Sequence, residues 1–244
     1  MSNSIPNASM RFEDPLSFIS RVLTKLFSLW VSGTYPFASK GSNLSMHYTT
    51  LVSRRVAPVV KLGNSVTFCK DAWLNTFYIW DRDGEPKIII DDNCLIGSRS
   101  VISAKNLIHI ECDVVLGASV LIQDHNHAYE DISLPIRVQR LTPGGTIRIE
   151  RGCRIGQGVA IVCAQGELVL GQHSIVAPNS VVLRSVAPYS SVGGNPARVI
   201  ERLDVPQANI ESQARSTEGV VSQERSMGYV PEASRAMPNH GGSE

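Results

Sequence analysis

Aliphatic residues recur at every sixth position through the central part of the chain. The regular period comprises four sets of three: Ile90, Ile96 and Ile102; Ile110, Leu116 and Ile122; Ile149, Ile155 and Ile161; Leu170, Val176 and Val182. A weaker set precedes them at Leu62, Phe68 and Leu74. The fourth position after each aliphatic residue is often small or β-branched, as at Cys94, Ser100, Val114 and Cys153.

The six-residue period predicts an all-β solenoid. An amphipathic helix would repeat about every 3.6 residues and a half-buried strand about every 2. A three-sided coil of short strands fits the period, because one large aliphatic residue per strand points inward and small residues fit at the corners. Stacked coils bury ladders that no single coil buries alone. Ordinary sandwich strands are the alternative, but they bring turn signals at intervals of about 8–12 residues and strands of variable length.

The segment of residues 16–30, LSFISRVLTKLFSLW, predicts an amphipathic helix of about four turns. Its apolar positions lie opposite its polar ones: Ile19, Val22, Leu23, Leu26, Phe27 and Trp30 against Ser20, Arg21, Thr24, Lys25 and Ser28. We interpret the helix as a cap over an exposed end of the solenoid. The alternative is a membrane-surface helix that brings an enzyme to a lipid-linked acceptor, for which two basic residues are few.

Two interruptions of the period and a polar tail mark the remaining segments. Residues 75–87, NTFYIWDRDGEPK, predict a hairpin or loop that projects from the solenoid. The second break separates Ile122 from Ile149, and a connection of this length is often functional. Residues 204–244 are polar and poor in aliphatic residues, which predicts disorder. The expected domains are an N-terminal helical or cap segment at 1–55, the repeat domain at 56–203 and the tail at 204–244.

The sequence that closes the ladder carries a family resemblance. It reads VAPYSSVGGNPARVI at residues 186–200. With the ladder, it resembles the hexapeptide-repeat acyltransferases, whose closing Gly-Asn-Pro-Ala-Lys/Arg-hydrophobic sequence is matched by GGNPARVI; the likeness covers roughly residues 60–203. The resemblance implies a left-handed parallel β-helix that uses acetyl-CoA. The handedness comes from the resemblance only, because the general rule for parallel crossovers gives right-handed connections.

The stretch QDHNHAYED at residues 123–131 opens the long break. In the family, the catalytic histidine lies directly after a coil, at the mouth of such a loop, and Asn126-His127-Ala128 is the match here. Acetyl transfer from a thioester to an alcohol requires a base that removes the hydroxyl proton, and neutral imidazole suits this role near neutral pH. The resemblance therefore implies that His127 is the catalytic base. The acceptor that orients its second ring nitrogen stays open: Asp124, Glu130, Asp131 or a backbone carbonyl.

His125 lies two residues before His127, and residues two apart share one face of an extended segment. We expect His125, together with Asp124, to bind substrate in the same cleft. The alternative is a polar loop histidine that solvates the entrance. The remaining histidines have no comparable context: His47, His109, His173 and His240.

The phosphates of coenzyme A call for cations near its binding site. The resemblance maps a basic residue of the closing sequence to Arg198, and a second one, after the last ladder strand, to Arg184. Small residues would allow close approach of the pantetheine arm: Gly158, Ala160 and Ala177.

Two departures from the family pattern fall in the same region. Arg154 stands where the family commonly has tryptophan. The coil between Ile161 and Leu170 also carries three extra residues, around CAQGE. The resemblance therefore leaves the individual cofactor contacts open.

The composition limits the classes of binding partner and the cellular compartment that we expect. Lysine plus arginine number 23 against 22 for aspartate plus glutamate, so no strong overall field attracts nucleic acid. The five cysteines form no CxxC pair, which predicts reduced thiols. Three of them, Cys94, Cys112 and Cys153, fall at repeat positions that suit small apolar side chains, so packing explains them. We expect neither a standard export signal nor a membrane span, because no segment approaches about eighteen uncharged apolar residues. The expected location is cytoplasmic, with peripheral membrane contact through residues 16–30 as an alternative.

These observations predict an acetyl-CoA-dependent O-acetyltransferase that acts on a sugar hydroxyl of a surface polysaccharide or its precursor. The resemblance implies this acceptor class, a homotrimer with active sites between subunits, and no metal. A zinc hydrolyase of the gamma carbonic anhydrase type is one alternative, because His109 and His127 are eighteen residues, one full coil, apart. A non-catalytic scaffold that keeps the solenoid is the other.

Overall fold

The computed structural model describes residues 15–77 and 85–204. One α-helix, α1 (Pro15–Thr34), precedes a solenoid of six coils with three short strands each. The strands of the first three coils are β1 (Ser39–Lys40), β2 (Ser45–Met46) and β3 (Leu51–Val52); β4 (Val60–Leu62), β5 (Thr67–Phe68) and β6 (Trp73–Thr76); β7 (Ile88–Ile90), β8 (Leu95–Ile96) and β9 (Val101–Ala104).

The next three coils continue the same pattern. Their strands are β10 (Leu107–Ile110), β11 (Val115–Leu116) and β12 (Leu121–Gln123); β13 (Gly144–Ile149), β14 (Arg154–Ile155) and β15 (Ala160–Val162); β16 (Gln165–Leu170), β17 (Ile175–Val176) and β18 (Val181–Val182). A hairpin of β19 (Ser190–Gly194) and β20 (Ala197–Arg202) follows. Two short 3₁₀ turns lie in the connections, at Ala57–Val59 and Ile136–Val138.

Every third strand belongs to the same sheet, so each side of the solenoid is a parallel ladder. The first sheet has the order β1-β4-β7-β10-β13-β16, the second β2-β5-β8-β11-β14-β17-β19-β20, and the third β3-β6-β9-β12-β15-β18. Residues one coil apart face each other in register: Ile108 pairs with Ile88 on one side and with Ile147 on the other. This arrangement turns the six-residue period of the sequence into continuous aliphatic columns.

The predicted ladder positions form the core of the solenoid. All members of the five sets, from Leu62 to Val182, are at most 2% exposed. The small residues predicted at the corners, such as Cys94, Ser100 and Ser174, are buried as well. The coils approach so closely that a Cβ added at Gly97 would lie 2.1 Å from the carbonyl oxygen of Gly117. The predicted all-β parallel solenoid is therefore confirmed.

The N-terminal end of the solenoid is covered by α1. The hydroxyl of Ser28 accepts a hydrogen bond from the backbone N–H of Met46 at 2.8 Å and lies 3.1 Å from the carbonyl oxygen of the same residue. Val31 of the helix is fully buried in the core cluster. The predicted helix and its capping contact are both present, and Ser28 bonds to the edge of β2, which no other strand of the described residues covers.

The first coil starts at Ser39, before the boundary at residue 56 that the repeat predicts. The period is hard to read there, because this coil contributes Met46 and Val52 to the core where later coils have isoleucine ladders. At the other end, β19 pairs parallel with β17, and β20 turns back antiparallel on β19. The predicted disordered tail lies outside the described residues, apart from Asp204.

Candidate functional site

The long break in the repeat leaves the solenoid as a paired stem. Its two arms run antiparallel: the backbone N–H of Ala128 donates to the carbonyl of Arg140 at 2.9 Å, and that of Thr142 donates to the carbonyl of Asn126 at 2.7 Å. Between these two hydrogen bonds, His127 forms an isolated antiparallel β-bridge with Leu141. The excursion is therefore ordered at its base. Each arm of the stem is only three residues long, so the sequence shows no alternation of apolar and polar residues that would predict these strands.

A buried carboxylate fixes the stem to the solenoid. Asp124 is fully buried and accepts backbone N–H groups from Lys105 and Asn106, both at 2.7 Å. Its carbonyl accepts the N–H of Gly145 at 2.7 Å, where the chain returns to the first sheet. Asp124 thus joins the turn between β9 and β10 to both ends of the excursion. Because both carboxylate oxygens are occupied, the geometry favours a positioning role for Asp124 over direct contact with substrate.

His125 forms an ion pair or hydrogen bond with the same carboxylate. Its Nδ1 lies 2.9 Å from Oδ1 of Asp124, and the side chain is only 3% exposed. The ring of Phe77 meets the imidazole edge-on, with centroids 4.6 Å apart. An Nδ1–H that donates to Asp124 would leave Nε2 as an acceptor. Phe77 also brings the edge of the predicted 75–87 insertion to this corner; residues 78–84 lie outside the described residues.

His127 lies at the mouth of the stem and is exposed. None of the three acids that the sequence suggested contacts its ring. The carboxylate of Asp124 serves the contacts above, that of Glu130 accepts the N–H of Tyr129, and that of Asp131 accepts the N–H of Ser133. Within the described part of the chain, the ring of His127 makes no hydrogen bond, so both nitrogens are open to solvent and to a ligand.

Two of the predicted cofactor residues, Ala160 and Arg184, lie in the third sheet and directly after it. Ala160 of β15 pairs in register with Leu121 of β12 and with Val181 of β18. Arg184 follows β18 directly, as the stem follows β12. Two strand spacings separate these corners, which is about 10 Å along the solenoid axis. The structure therefore places Arg184 on the side of the solenoid from which His127 projects.

A cavity of about 490 Å³ brings the two predicted arginines together. It lies between the end of the third sheet and the β19–β20 hairpin. Arg184, Arg198 and Arg202 line it, and no acidic residue between 85 and 204 does. Sequence reasoning missed Arg202, which also donates to the hydroxyl of Ser190 at 2.8 Å. Strand periodicity gave no signal for Arg202, because a β-bulge in β20 places Arg202 opposite Ser190 and Arg198 opposite Gly193, which point to alternate faces of β19.

The predicted small residues occupy tight backbone positions at the corner between the second and third sheets. Gly158 has φ +71°, and a Cβ there would lie 2.3 Å from Oδ1 of Asn179. The Cβ of Ala177 lies 3.0 Å from the position that a Cβ on Gly193 of the hairpin would take. Both residues therefore have a structural reason to be small, and their contact with a pantetheine arm stays a prediction.

The two departures from the family pattern also have defined places. Arg154 lies exposed on β14. The three extra residues lengthen β16, which pairs with β13 over six residues from Gln165 to Leu170. The first residues of both strands, Gly144 and Gln165, pair directly. This extension of the first sheet lies next to Asp124, whose carbonyl accepts the N–H of Gly145.

The geometry does not support the zinc alternative. His109 lies in the first sheet, where its Nε2 is 2.8 Å from Oδ2 of Asp91. His127 follows the third sheet, so the two imidazoles do not stack as the one-coil spacing suggested. Among residues 15–77 and 85–204, no three histidine, cysteine or acidic side chains come together as metal ligands do.

Comparisons with known proteins agree with this architecture. No protein-family model matches the chain. A probable acetyltransferase of Mycobacterium tuberculosis is 29% identical over 111 residues, 43% of this chain and 36% of its own length. WbbJ of Escherichia coli, named as an O-acetyl transferase of lipopolysaccharide biosynthesis, is 26% identical over 125 residues, 50% of this chain and 64% of its own length. A probable macrolide acetyltransferase of Lysinibacillus sphaericus is 30% identical over 105 residues, 37% of this chain and 56% of its own length. The chain thus spans less than two thirds of each of these relatives.

Solved structures show the same fold. The N-acyltransferase AntD of Bacillus cereus, in complex with dTDP and 3-hydroxybutyryl-CoA, superimposes with a TM-score of 0.62 at 15% identity, over 79% of this chain and 97% of AntD. A variant of AntD in complex with dTDP-4-amino-4,6-dideoxyglucose and coenzyme A gives a TM-score of 0.62 over 78% of this chain and 97% of AntD. The predicted resemblance to hexapeptide-repeat acyltransferases and the left-handed parallel β-helix are confirmed.

Proposed function

We propose that the protein is an acyl-CoA-dependent O-acyltransferase, with acetyl-CoA as donor and a sugar hydroxyl as acceptor. The observation that carries the proposal is that an exposed imidazole, His127, and a cavity lined by three arginines lie on the same side of a β-helix. Support comes from the acetyltransferase names of the curated relatives and from the coenzyme A in the AntD complexes.

In the proposed reaction, the sugar hydroxyl attacks the thioester carbonyl of acetyl-CoA while Nε2 or Nδ1 of His127 takes its proton. The tetrahedral intermediate collapses to the acetyl ester, the C–S bond breaks, and the imidazolium returns the proton to the leaving thiolate. Such a base contributes about 10²- to 10⁴-fold to the rate. Since both ring nitrogens of His127 are open and the side chain is exposed, it can reach a bound acceptor without rearrangement of the core.

The cavity beside the hairpin suits the phosphates of coenzyme A. Arg184, Arg198 and Arg202 supply three cations, and among the described residues no acidic side chain lines the cavity with them. Guanidinium groups bind phosphate oxygens with two parallel N–H bonds, which makes arginine a strong choice for such a site. The pantetheine arm would then run along the third sheet past Ala160 toward the stem.

The acceptor is proposed to be a carbohydrate. One curated relative is named for lipopolysaccharide O-acetylation, and AntD binds a dTDP-linked amino sugar. His125 would present Nε2 to the acceptor, with Asp124 holding the ring, and Phe77 would wall the pocket. An oxygen acceptor is favoured over nitrogen because an exposed imidazole supplies the base that a neutral hydroxyl needs.

A homotrimer is the proposed assembly. The tip of the excursion exposes large apolar side chains, among them Ile132 at 99%, Tyr129 at 64% and Ile136 at 57%. Exposed apolar clusters of this kind mark interaction surfaces. In a trimer the tip would cover a neighbouring solenoid and complete the acceptor pocket between subunits.

The experiment is a product assay with the full chain. Acetyl-CoA is incubated with a panel of nucleotide sugars, some with only hydroxyl groups and some with an amino group, and products are analysed by mass spectrometry and by hydroxylamine treatment, which cleaves esters and leaves amides intact. The proposal expects a hydroxylamine-labile acetyl sugar. Products formed only as stable amides would refute O-transfer, and release of free acetate at the same rate with and without every sugar would refute transfer to a carbohydrate.

A further inference from the structure

The helix α1 is amphipathic in an unexpected orientation. Its hydroxyl-bearing side faces the solenoid, where Ser28 bonds to Met46 and Ser20 lies 3.4 Å from Nε2 of His47. Its large apolar side chains face away and are 40–64% exposed: Phe18, Ile19, Val22, Leu23, Leu26, Leu29 and Trp30. On an ideal helix these seven positions fall within an arc of about 140°. We refer to them as the apolar face of α1.

The apolar face exceeds what capping the solenoid requires. Contact with the core is made by the opposite side of the helix, through Phe27 and the buried Val31. Single exposed apolar side chains are common on protein surfaces, but these seven form one contiguous patch on the helix. Contiguous apolar patches of this kind mark interaction sites.

The charge around this face is one-sided. Of the 23 basic and 22 acidic residues, seven basic ones and a single acidic one, Asp71, fall between residues 15 and 76, which comprise α1 and the first two coils. The seven cations are Arg21, Lys25, Lys40, Arg54, Arg55, Lys61 and Lys70. The near-zero net charge of the whole chain therefore conceals a strongly positive N-terminal end.

Two of these cations border the apolar face itself, because Arg21 and Lys25 line a shallow cavity of about 370 Å³ with Phe18 and Val22. The same two cations and Lys70 also line the neighbouring cavity of about 590 Å³ between α1 and the second sheet. On the helical wheel, Arg21 and Lys25 lie between the apolar face and the side that contacts the solenoid. Apolar side chains next to cations and hydroxyls match the order of layers at a bilayer surface, where acyl chains lie beneath phosphate headgroups.

We propose that the apolar face of α1 and the bordering cations dock this protein on the surface of an anionic phospholipid bilayer. No helix in the described residues is long and apolar enough to cross a bilayer, so α1 would lie in the interface plane. A second copy of the chain is a poorer occupant, because two such faces placed together would bring the same cations into contact. The inference goes beyond acyl transfer and does not depend on it.

The test is co-sedimentation of the full chain with two kinds of vesicle. One is phosphatidylcholine alone, and the other contains equal parts of phosphatidylcholine and phosphatidylglycerol. We expect binding to the anionic vesicles only, weakened by salt. Replacing Leu26 and Leu29 by serine should lower the affinity by more than about tenfold, since binding scales with the apolar area inserted. Replacing Lys25 and Lys70 by glutamine should lower it about 25-fold, at about fivefold per cation.

Matched controls remove equivalent groups elsewhere. Ile200→Ser removes an exposed apolar side chain of β20, and the double change Arg99→Gln with Arg154→Gln removes two exposed cations, all outside the excursion. Both controls should bind anionic vesicles as the wild type does. Circular dichroism of every variant shows whether it folds, and quenching of Trp30 fluorescence by brominated lipid, compared with Trp30→Phe, reports insertion of the face without any change to its leucines.

The outcomes separate the occupants. Failure of the wild type to bind anionic vesicles, equal binding to neutral ones, or unchanged binding by the leucine variant would each overturn the proposal. If light scattering shows that the leucine variant has dissociated into smaller assemblies while its vesicle binding is unchanged, the apolar face of α1 would instead be assigned to contact with a second copy of the chain. Because vesicle binding needs neither acetyl-CoA nor a sugar, failure of the proposed reaction would leave this test readable.

Discussion

The buried carboxylate of Asp124 holds the stem of the excursion, and its replacement by asparagine should destabilise the protein strongly. The substitution keeps the size and shape of the side chain and removes its charge. It exchanges one acceptor oxygen for an NH₂ group at a position where every neighbour donates: the N–H groups of Lys105 and Asn106, and Nδ1 of His125 in its Nδ1–H tautomer.

The magnitude follows from these three contacts. Hydrogen bonds to a charged acceptor are worth about 1.5–3 kcal/mol each, and an unpaired buried donor costs about 1–3 kcal/mol. The side-chain oxygen of asparagine can accept one of the two backbone N–H groups. Its NH₂ group cannot accept the other, which then has no acceptor at a position where the side chain is 0% exposed. The expected loss in the free energy of unfolding is about 3–5 kcal/mol.

Urea unfolding of the wild type and of Asp124→Asn, followed by circular dichroism, measures this loss. The control is Asp131→Asn in the exposed tip of the same loop, where the hydroxyl and N–H of Ser133 lower the pKa of the carboxyl; that change should leave the unfolding midpoint close to the wild-type value. An Asp124→Asn midpoint that coincides with the wild type would refute the assignment of Asp124 as the structural clamp of the stem.

Three further predictions concern packing, thiol chemistry and the cofactor. Gly97→Ala should lower the free energy of unfolding, measured in urea, by about 2–3 kcal/mol, because the new Cβ overlaps the carbonyl oxygen of Gly117. The control is Gly33→Ala, whose new Cβ has no atom within 4 Å, so steric overlap should not destabilise it. Burial raises the pKa of Cys94 from 9.0 to about 12, so iodoacetamide at pH 8 should alkylate it about a thousandfold more slowly in the native than in the unfolded chain, as read by mass spectrometry. The folded pKa exceeds the unfolded one, so the stability from the neutral thiol is complete below about pH 9 and declines as the pH rises toward 12; a native rate equal to the unfolded one would contradict its burial. Arg184→Gln and Arg198→Gln should each raise KM for acetyl-CoA about tenfold or more with little change in kcat, and an effect confined to kcat would contradict the phosphate assignment.

The core of the fold was predictable because the solenoid repeats one local rule. A single aliphatic residue per strand sets the inward position, and the next coil repeats it in register, so periodicity alone located Ile90, Ile110, Ile149 and Leu170 in one column. The first coil escaped notice where Met46 and Val52 replace the isoleucines. The orientation of α1 was also unexpected, because helical spacing reveals that a helix is amphipathic and does not reveal which side meets the protein.

The candidate site was predictable in part for a similar reason. The break in the repeat marked the stem, and the residues QDHNH lie at its base as expected. The partners of Asp124 were not predictable, since Lys105 and Asn106 approach through backbone N–H groups that no side-chain pattern encodes. Arg202 joins Arg184 and Arg198 only through the fold of the hairpin onto the last coil.

The central claim is that His127 removes the proton from the acceptor, and the direct measurement is kcat for CoA release by His127→Ala with the sugar that serves as acceptor. His109→Ala, which removes a histidine of the first sheet, is the matched control and should keep wild-type turnover. The account predicts a fall in kcat of about 10²- to 10⁴-fold for His127→Ala, with an unchanged urea midpoint because the side chain is exposed. Turnover by the folded His127→Ala protein at the wild-type rate would contradict it.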